Sequence, residues 1–263
     1  MLKKLMKYDL ETIYKGVIVF YILSIFFAIL TRIFFGIENS FIMNIIAKVC
    51  SGVTIAMIFN ILINNMMRLW GRFRQNLYGD ESYLTHTLPI KKRTIYLSKF
   101  LTTLVSLFTS VLIIVLSLFI AYYSKENIEL LKNILLPLAK IYNSTAITII
   151  LSFIFVIFLE IMNMQQSGFL GIVLGHRKNN NKIVYSIVFG FLAYLATQVF
   201  IIIVLFITGF FNKDIMNLFY TVDALNIDTI KLCIYLAIMV YTLNIIILYL
   251  ITSKVFKKGV NID

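Results

Sequence analysis

The chain of 263 residues is too apolar for a soluble globular protein: 60% of its residues are hydrophobic, 14% are charged and the mean hydropathy is +0.93. Soluble domains usually carry about 25% charged and about 45–50% apolar residues, so this excess predicts an integral membrane protein. The net charge of +12 would suit nucleic acid, but the positions of the basic residues favour a membrane instead. Cys50 and Cys233 have no spacing for a zinc or haem site and form no disulfide framework.

The first 15 residues have the pattern of an amphipathic helix. Apolar residues recur three and four positions apart and charged residues fill the other face, as in helices that lie in the membrane interface. We therefore predict an N-terminal interfacial helix over residues 1–15, with a solvated leader as the alternative. The apolar positions are Leu2, Leu5, Met6, Leu10, Ile13 and Tyr14, and the charged positions are Lys3, Lys4, Lys7, Glu11 and Lys15.

Six segments are long and apolar enough to cross a membrane, since a spanning helix needs roughly 20 mainly apolar residues. The fourth has the least certain end, because apolar residues resume at 169–174 after the polar stretch that begins at Asn163. The chain is predicted to form a single all-α transmembrane domain over residues 1–263. The predicted spans are Gly16–Phe35, Phe41–Ile63, Phe100–Tyr123, Ser144–Asn163, Ile183–Phe211 and Ile230–Thr252.

Basic residues cluster on one side of these six spans. Most of the 24 lysines and arginines lie in the N-terminal segment, in the second-to-third and fourth-to-fifth connections, and in the C-terminal tail. Positive residues accumulate in cytoplasmic loops, so both termini are predicted to be cytoplasmic. The even number of spans agrees with this orientation. Because the basic residues flank the membrane in this way, we expect no nucleic-acid partner.

The connection between spans two and three, residues 64–98, is the one long cytoplasmic loop. We expect Asp80 to cap a short helix over residues 81–88, with Glu81 adding favourable charge at its start. Pro89 ends that helix, because proline disfavours helical geometry in the residue before it. A short helix held between two anchored helices is suited to dock into a groove on a cytoplasmic partner.

This loop also resembles a known family. The stretch YGDESYLTHTLPIKKRTIYLSKF, residues 78–100, is similar to the first cytoplasmic loop of bacterial ABC-2 type permeases, in particular small Gram-positive members with a pattern like GDE-x-YLT-x-TLP followed by SK. The six-span layout with an interfacial N-terminal helix is similar as well. The residues that carry the resemblance are Gly79, Asp80, Glu81, Tyr83, Leu84, Thr85, Thr87, Leu88, Pro89, Ser98 and Lys99.

The resemblance implies an ABC transporter subunit with an ABC-2, type V exporter-like fold in the bacterial plasma membrane. A permease of this family pairs with a second copy or a paralogue and binds a dimer of separate ATPase subunits, which hold the ATP and Mg. The short loop helix would be the coupling helix that receives the movement of the ATPase. The residues assigned to coupling are Asp80, Glu81, Tyr83, Leu84, Thr85, Thr87, Leu88 and Pro89, with Tyr83, Leu84 and Leu88 as docking groups.

No catalytic or metal-binding residue is assigned to this chain. The P-loop pattern G-x-x-x-x-G-K-[ST] does not occur in it, so we expect no enzyme activity and no cofactor here, and any ATPase must be another polypeptide. Glu81 and His86 lie close in sequence, but a spacing of five rotates them off a common helix face. His176, in a short basic loop, is predicted to be a solvated surface residue.

Glu160 is the only acid within a predicted span, which makes it a candidate intramembrane polar site. Arg32 and Lys48 are the basic candidates for pairing. On the predicted boundaries, at about 1.5 Å of rise per residue, Lys48 lies too far from Glu160 in depth for an ion pair. We expect Glu160 near the inner membrane interface, beside Asn163 and Gln165. Whether its role is structural or functional is left open.

The predicted function is that of the transmembrane permease subunit of an ATP-driven ABC exporter. Spans rich in Ile, Leu and Phe suit a hydrophobic or amphipathic substrate. The resemblance to peptide-toxin export and lantibiotic-immunity permeases implies a peptide toxin or an antimicrobial peptide. The alternatives are an ATP-independent carrier or channel and a non-transporting anchor subunit. Residues 212–228 form either a re-entrant or interfacial piece on the outer face or an ordinary loop.

Overall fold

The structure is a computed structural model that describes residues 1–37, 40–141, 145–217 and 227–258. All regular secondary structure in these residues is α-helical, as the composition predicts. The helices are α1 (Leu2–Phe35), α2 (Phe41–Leu77), α3 (Ser82–Thr87), α4 (Lys92–Tyr122), α5 (Lys125–Ile141), α6 (Ala146–Gly175), α7 (Lys182–Phe211), α8 (Lys213–Asn217) and α9 (Ile227–Lys257).

Six of these helices are long and apolar enough to cross a membrane: α1, α2, α4, α6, α7 and α9. Apart from their ends they coincide with the six predicted spans, so the prediction of an all-α, multi-pass membrane protein is confirmed. Many of their large apolar side chains are exposed, among them Phe59, Ile187 and Phe210. Helices that are apolar on nearly all faces belong in a hydrocarbon environment rather than in water.

The fourth span is longer than predicted. The sequence suggested an end at Asn163, but α6 continues without a break to Gly175. The polar residues that suggested the end are buried inside the protein, since Asn163, Gln165, Gln166 and Ser167 are at most 1% exposed. Polar side chains within a membrane helix face neighbouring helices and need not mark its end. The boundary prediction was wrong for this reason.

The predicted interfacial helix over residues 1–15 is not a separate element. Residues 2–35 form one helix, α1, because Gly16 keeps helical geometry and one buried stripe runs through both parts. That the first part lies in the membrane interface stays a prediction. The stripe repeats about every four residues, and its members are Asp9, Ile13, Val17, Tyr21, Ser24, Ala28 and Thr31.

The helices fall into two compact units, Met1–Glu129 and Leu130–Asp263; the single domain over residues 1–263 stays a prediction. In the first unit α1 packs against α2 and α4. Hydroxyl groups join these helices, since Tyr21 Oη and Ser110 Oγ lie 2.7 Å apart and Ser24 Oγ donates to Ser117 Oγ at 2.9 Å. These contacts advance together along both helices, so α1 and α4 run parallel. Hydrogen bonds of this kind hold membrane helices together where the hydrophobic effect cannot.

In the second unit α6 packs against α7 and α9. Small residues let α6 and α7 approach closely: Gly171 lies against the backbone of Gly190 and Ser186, and Gly175 lies against Ser186. Lipid tails are as apolar as leucine side chains, so membrane helices gain little by exchanging lipid contacts for bulky apolar contacts. Close backbone approach through small residues is a common alternative.

Helix α5 was not predicted, because the sequence analysis treated the residues between spans three and four as a connection. It has 17 residues and includes Pro137. Glu126, Glu129 and Lys132 project from one side of the helix. On the other side Leu131 and Ile134 expose 51% and 64% of their surfaces. An amphipathic helix that follows directly after a span is suited to the membrane surface.

The stretch 212–228, predicted as a re-entrant piece or an ordinary loop, is described at its ends only. Its first part contains α8, which packs against α7, and Met216 lies next to Gly209. Residues 218–226 lie outside the described residues, so both alternatives stay predictions.

Replacing Gly171 by alanine is expected to destabilise the second unit. The added methyl group would lie closer to the α7 backbone than Cβ atoms are found in proteins. The helices must therefore separate, at a cost of roughly 1–3 kcal/mol. Gly52→Ala on α2 is the matched control, because beyond the local helix backbone no described atom lies within 4 Å of its new methyl group. Thermal unfolding in detergent should show a lower midpoint for Gly171→Ala alone. Equal midpoints for both variants would contradict the close packing of α6 and α7.

Candidate functional site

A short helix, α3, connects α2 to α4 at the position predicted for the coupling helix. It covers Ser82–Thr87, six residues, and is therefore shorter than the predicted 81–88. The helix ends one residue before the predicted end. Leu88 adopts extended backbone angles, φ −63° and ψ 135°, as expected for a residue that precedes a proline.

This helix turns one side inward and the other outward. Thr85 is 5% exposed, so its side chain packs on the inner side of α3 and cannot contact a partner that binds the outer side. The three predicted docking groups lie on the opposite side: Tyr83, Leu84 and Leu88 expose 70%, 74% and 40% of their surfaces. Their exposure is what docking requires, while docking itself stays a prediction. Also exposed are Thr87 and Pro89.

The predicted cap of this helix is wrong. Glu81 occupies the N-cap position, no side-chain hydrogen bond caps α3, and Asp80 is exposed. The carboxylate of Glu81 makes no capping hydrogen bond either, because it binds Arg72 of α2. That its charge favours the start of the helix stays a prediction. A guanidinium offers a carboxylate two charge-assisted hydrogen bonds, which are about twice as strong as bonds between neutral groups.

Glu81 belongs to a group of four charged side chains that we call the ion-pair cluster: Asp9, Arg72, Glu81 and Lys99. Arg72 Nη1 donates to both carboxylate oxygens of Glu81, at 2.6 and 2.7 Å. The Nε atom of Arg72 donates to Asp9 Oδ1 at 3.0 Å. Lys99 Nζ donates to Asp9 Oδ2 at 2.6 Å. Asn76 Nδ2 adds a hydrogen bond to Glu81 Oε2 at 3.0 Å.

The ion-pair cluster joins α3 to three spans, because Asp9 lies on α1, Arg72 on α2 and Lys99 on α4. The side chains of Asp9, Lys99 and Arg72 are 3%, 5% and 13% exposed, whereas that of Glu81 is 43% exposed. A buried charge without a partner costs several kcal/mol. Two acids and two bases balance here, so each buried charge depends on the presence of the others.

The environment of Glu81 favours its charged form. Partial burial by itself raises the pKa of this carboxyl. The hydrogen bonds from Asn76 and Arg72, together with the positive charges of Arg72 and Lys99, outweigh burial and lower the pKa from its ordinary value of 4.5. At neutral pH the contact with Arg72 is therefore a full ion pair.

Asp9 is the member of the cluster that the sequence analysis missed. It was assigned to neither face of the N-terminal helix, yet it lies on the buried stripe four residues before Ile13. An acid at that spacing among apolar residues was the available signal. Its partner Lys99 is 90 residues away in sequence, so the pairing could not be read from the chain.

The second unit contains a polar site around Glu160, the acid that the sequence singled out. Tyr194 Oη donates to Glu160 Oε1 at 2.6 Å, and Gln198 Nε2 donates to the same oxygen at 3.1 Å. Tyr241 of α9 also interacts with this carboxyl. One turn further along α6, Asn163 Nδ2 donates to Thr197 Oγ1 of α7 at 3.0 Å. We call this group of six residues the polar layer: Glu160, Asn163, Tyr194, Thr197, Gln198 and Tyr241.

This polar layer lies at the middle of its helices. At about 1.5 Å of rise per residue, Glu160 is roughly 21 Å from the start of α6 and roughly 22 Å from its end. Its predicted place near the inner interface stays a prediction, because α6 with 30 residues is longer than a hydrocarbon core about 30 Å thick. Of the basic residues considered for pairing, Arg32 lies over the ring of Tyr123 at 5.4 Å and Lys48 is exposed.

The prediction for His176 was also wrong. It was expected to be solvated, but it is fully buried, with Nδ1 2.9 Å from the Ile172 carbonyl oxygen and 3.4 Å from Ser186 Oγ. The close approach of α6 and α7 covers it. His86 Nε2 lies 3.1 Å from the Leu77 carbonyl oxygen, which ties α3 to the end of α2. The described residues contain no group of three or more His, Cys, Asp or Glu that could hold a metal ion.

A half-open groove of about 380 Å³ lies between α1 and α4 in the first unit. The hydroxyls of Tyr14 and Tyr21 are turned into hydrogen bonds with α4, so the groove presents mainly carbon atoms. Its size and lining fit an acyl chain or several apolar side chains. The lining residues are Tyr14, Ile18, Tyr21, Thr109, Leu112 and Ile113.

Comparisons with known proteins identify no relative. The chain matches no protein-family model, no curated protein and no solved structure. The resemblance of residues 78–100 to ABC-2 permeases therefore stays a prediction, and we infer the function from that resemblance together with the geometry described above.

Removing one charge from the ion-pair cluster is expected to destabilise the first unit strongly. Lys99→Met and Asp9→Asn should each cost about 3–5 kcal/mol, because each leaves a buried charge without its partner. The double variant should cost less than the sum, since both changes remove the same contact. The matched control is Glu11→Gln on α1, which loses only an exposed contact with Lys7 and should cost below about 1 kcal/mol. The free energies of unfolding of the two single variants, the double variant and the control are measured in mixed detergent micelles. Additive effects of the two single changes would contradict the cluster, as would an Asp9→Asn variant that loses no more stability than the control.

Replacing Glu81 by glutamine is expected to loosen α3, because the change removes the charge and keeps the shape. Hydrogen-exchange mass spectrometry at pH 7 should show roughly fivefold faster exchange over Ser82–Thr87. This corresponds to about 1 kcal/mol, a charged hydrogen bond discounted for the exposure of Glu81. The lowered pKa means that the stabilisation is fully present above the ordinary value of 4.5 and is lost as pH falls through the lowered pKa. Asp80→Asn is the matched control. If both variants exchange at the wild-type rate, the ion pair does not hold α3.

Proposed function

We propose that this chain is the transmembrane permease subunit of an ATP-driven exporter of the ABC-2 type, working with a separate ATPase. The observation that carries the proposal is the outward apolar surface of α3, formed by Tyr83 and Leu84, on a helix tied to three spans by the ion-pair cluster. An exposed apolar patch at a fixed position, with polar surroundings, is typical of a protein–protein contact. The resemblance of residues 78–100 to the coupling loop of ABC-2 permeases supports the same function.

The cluster provides a route by which an ATPase could move the spans. A partner that binds the outer side of α3 would displace Glu81, and the charge-assisted hydrogen bonds from Arg72 Nη1 would carry that displacement to Arg72. Arg72 also binds Asp9, and Asp9 binds Lys99. The displacement would therefore reach α1, α2 and α4 together. In this arrangement α3 and both chain termini face the cytoplasm, and ATP and Mg are bound by the partner.

The apolar character of the spans supports a hydrophobic or amphipathic cargo. Exposed isoleucines, leucines and phenylalanines cover their outer surfaces, and the groove between α1 and α4 presents mainly carbon atoms. A transport pathway between this chain and a second copy or a paralogue would be lined by apolar side chains. Such a lining suits a peptide toxin or an antimicrobial peptide better than a sugar or an ion.

The proposal is tested by tagging the chain, solubilising native membranes gently and identifying co-purified proteins. We expect an ATPase with Walker motifs. Leu84→Glu should reduce its recovery at least tenfold, because a buried unpaired charge costs more than about 1.4 kcal/mol at an interface. Gln75→Glu, at an exposed position of α2, is the matched control and should leave recovery unchanged. Recovery of the chain without any ATPase would overturn the proposal.

The polar layer favours a second candidate, an ATP-independent carrier or channel, because an ionisable group in a membrane helix is typical of substrate and ion pathways. The two candidates differ in energy source. Transport by membrane vesicles that stops without ATP and in the Leu84→Glu variant supports the exporter. Transport that ignores both changes supports the carrier or channel.

A further inference from the structure

The carboxyl group of Glu160 is engaged at one oxygen only. Glu160 Oε1 accepts hydrogen bonds from Tyr194 Oη at 2.6 Å and from Gln198 Nε2 at 3.1 Å. The other oxygen, Oε2, is buried and has no hydrogen-bond partner among the described residues. A carboxyl oxygen can accept hydrogen bonds, so Oε2 is available to a donor from a ligand.

Glu160 forms no ion pair with any of the described residues. The basic residues on the neighbouring helices are placed towards the ends. Lys231 is roughly 15 Å from Tyr241 along α9, and Lys182 is roughly 18 Å from Tyr194 along α7. Charges at this depth of a membrane helix are costly and normally have a partner, so a cationic ligand is the natural complement.

We propose that the polar layer binds a protonated amine, with Glu160 as its anionic ligand. An ammonium group has three hydrogen-bond donors. Besides Glu160, the layer offers Asn163 Oδ1, which is buried one turn away on α6 and has no hydrogen-bond partner among the described residues. A metal ion such as Ca²⁺ would need six or more oxygen ligands, and Glu160 is the only acid in the layer.

The position of the layer defines the rest of the ligand. Glu160 lies near the middle of α6, and exposed apolar side chains such as Ile157 and Leu195 lie on the flanking turns. Lipid headgroups lie about 15 Å from the centre of a hydrocarbon core about 30 Å thick. An amine that reaches the layer must therefore be carried on an apolar body, as in an amphipathic cation. Binding of this cation does not depend on the proposed transport function. Only the statement that the cation is the transported cargo rests on that proposal.

The test uses the purified full chain, without any ATPase, in nanodiscs whose only lipid is phosphatidylcholine, a lipid without a primary amine. Dansylcadaverine, a fluorescent primary ammonium, should bind saturably above the level of empty nanodiscs. N-butyl dansylamide, its neutral counterpart, should bind at least tenfold more weakly. This comparison needs no variant, and equal binding of the two probes would overturn the proposal.

Variants then assign the site. Glu160→Gln should weaken dansylcadaverine binding at least tenfold and remove the preference for the cation, whereas Glu126→Gln on α5, an exposed acid outside the layer, should change neither. Tyr194→Phe, which removes one donor to the carboxylate, should weaken binding severalfold and serves if Glu160→Gln fails to fold. Unchanged cation preference in a folded Glu160→Gln or Tyr194→Phe protein would overturn the assignment.

A last arm distinguishes the source of the amine. Binding of dansylcadaverine that persists in nanodiscs containing phosphatidylethanolamine supports an amphipathic cation as the ligand. Binding that disappears there shows that a lipid amine fills the same ammonium site. If dansylcadaverine does not bind but an ATPase co-purifies, the amine-binding proposal is overturned and the exporter proposal stands. If dansylcadaverine binds but no ATPase co-purifies, the exporter proposal is overturned and the amine-binding proposal stands.

Discussion

The buried carboxylate of Asp9 is the constraint on which the first unit depends. It lies on the packed face of α1, where water cannot compensate its charge, so it must be held by cations from neighbouring helices. Lys99 and Arg72 supply them from α4 and α2. The excess positive charge of this pair is in turn balanced by Glu81, at the start of α3. One buried charge therefore determines how three spans and a short connecting helix are positioned.

The two units handle an intramembrane or buried carboxylate in different ways. In the first, the charge of Asp9 is neutralised by residues of the same unit, so the cluster is a closed structural element. In the second, Glu160 accepts hydrogen bonds from neutral donors, Tyr194 and Gln198, and forms no ion pair with a described residue. A closed cluster is suited to transmitting a displacement, whereas a carboxyl group without an ion pair is suited to binding a cation.

Both units solve the same packing problem, which is how to hold helices together when their surroundings are as apolar as their side chains. The first unit uses hydroxyl and amide groups, including the pairs Tyr21–Ser110 and Ser24–Ser117. The second uses glycines, so that α6 and α7 meet backbone to backbone at Gly171 and Gly190. Neither device requires a large buried apolar core, and many apolar side chains lie on the outside. This explains how a chain so rich in isoleucine, leucine and phenylalanine can expose many of its large apolar residues and still fold.

The sequence by itself determined the number and approximate position of the spans, because twenty consecutive apolar residues allow only one structure in a membrane. It also located α3 to within one residue at each end, since the effect of Pro89 on the preceding residue is local. Local pattern failed where polar residues were involved. Asn163 looked like a helix end, Asp80 looked like a cap and His176 looked like a surface residue, because the sequence does not show what a polar side chain faces. The pairing of Asp9 with Lys99 and the meeting of Glu160 with Tyr194 and Tyr241 join residues far apart in sequence. Only the packing of the helices decided them, because a polar group in an apolar bundle takes its role from the partner that tertiary structure brings to it.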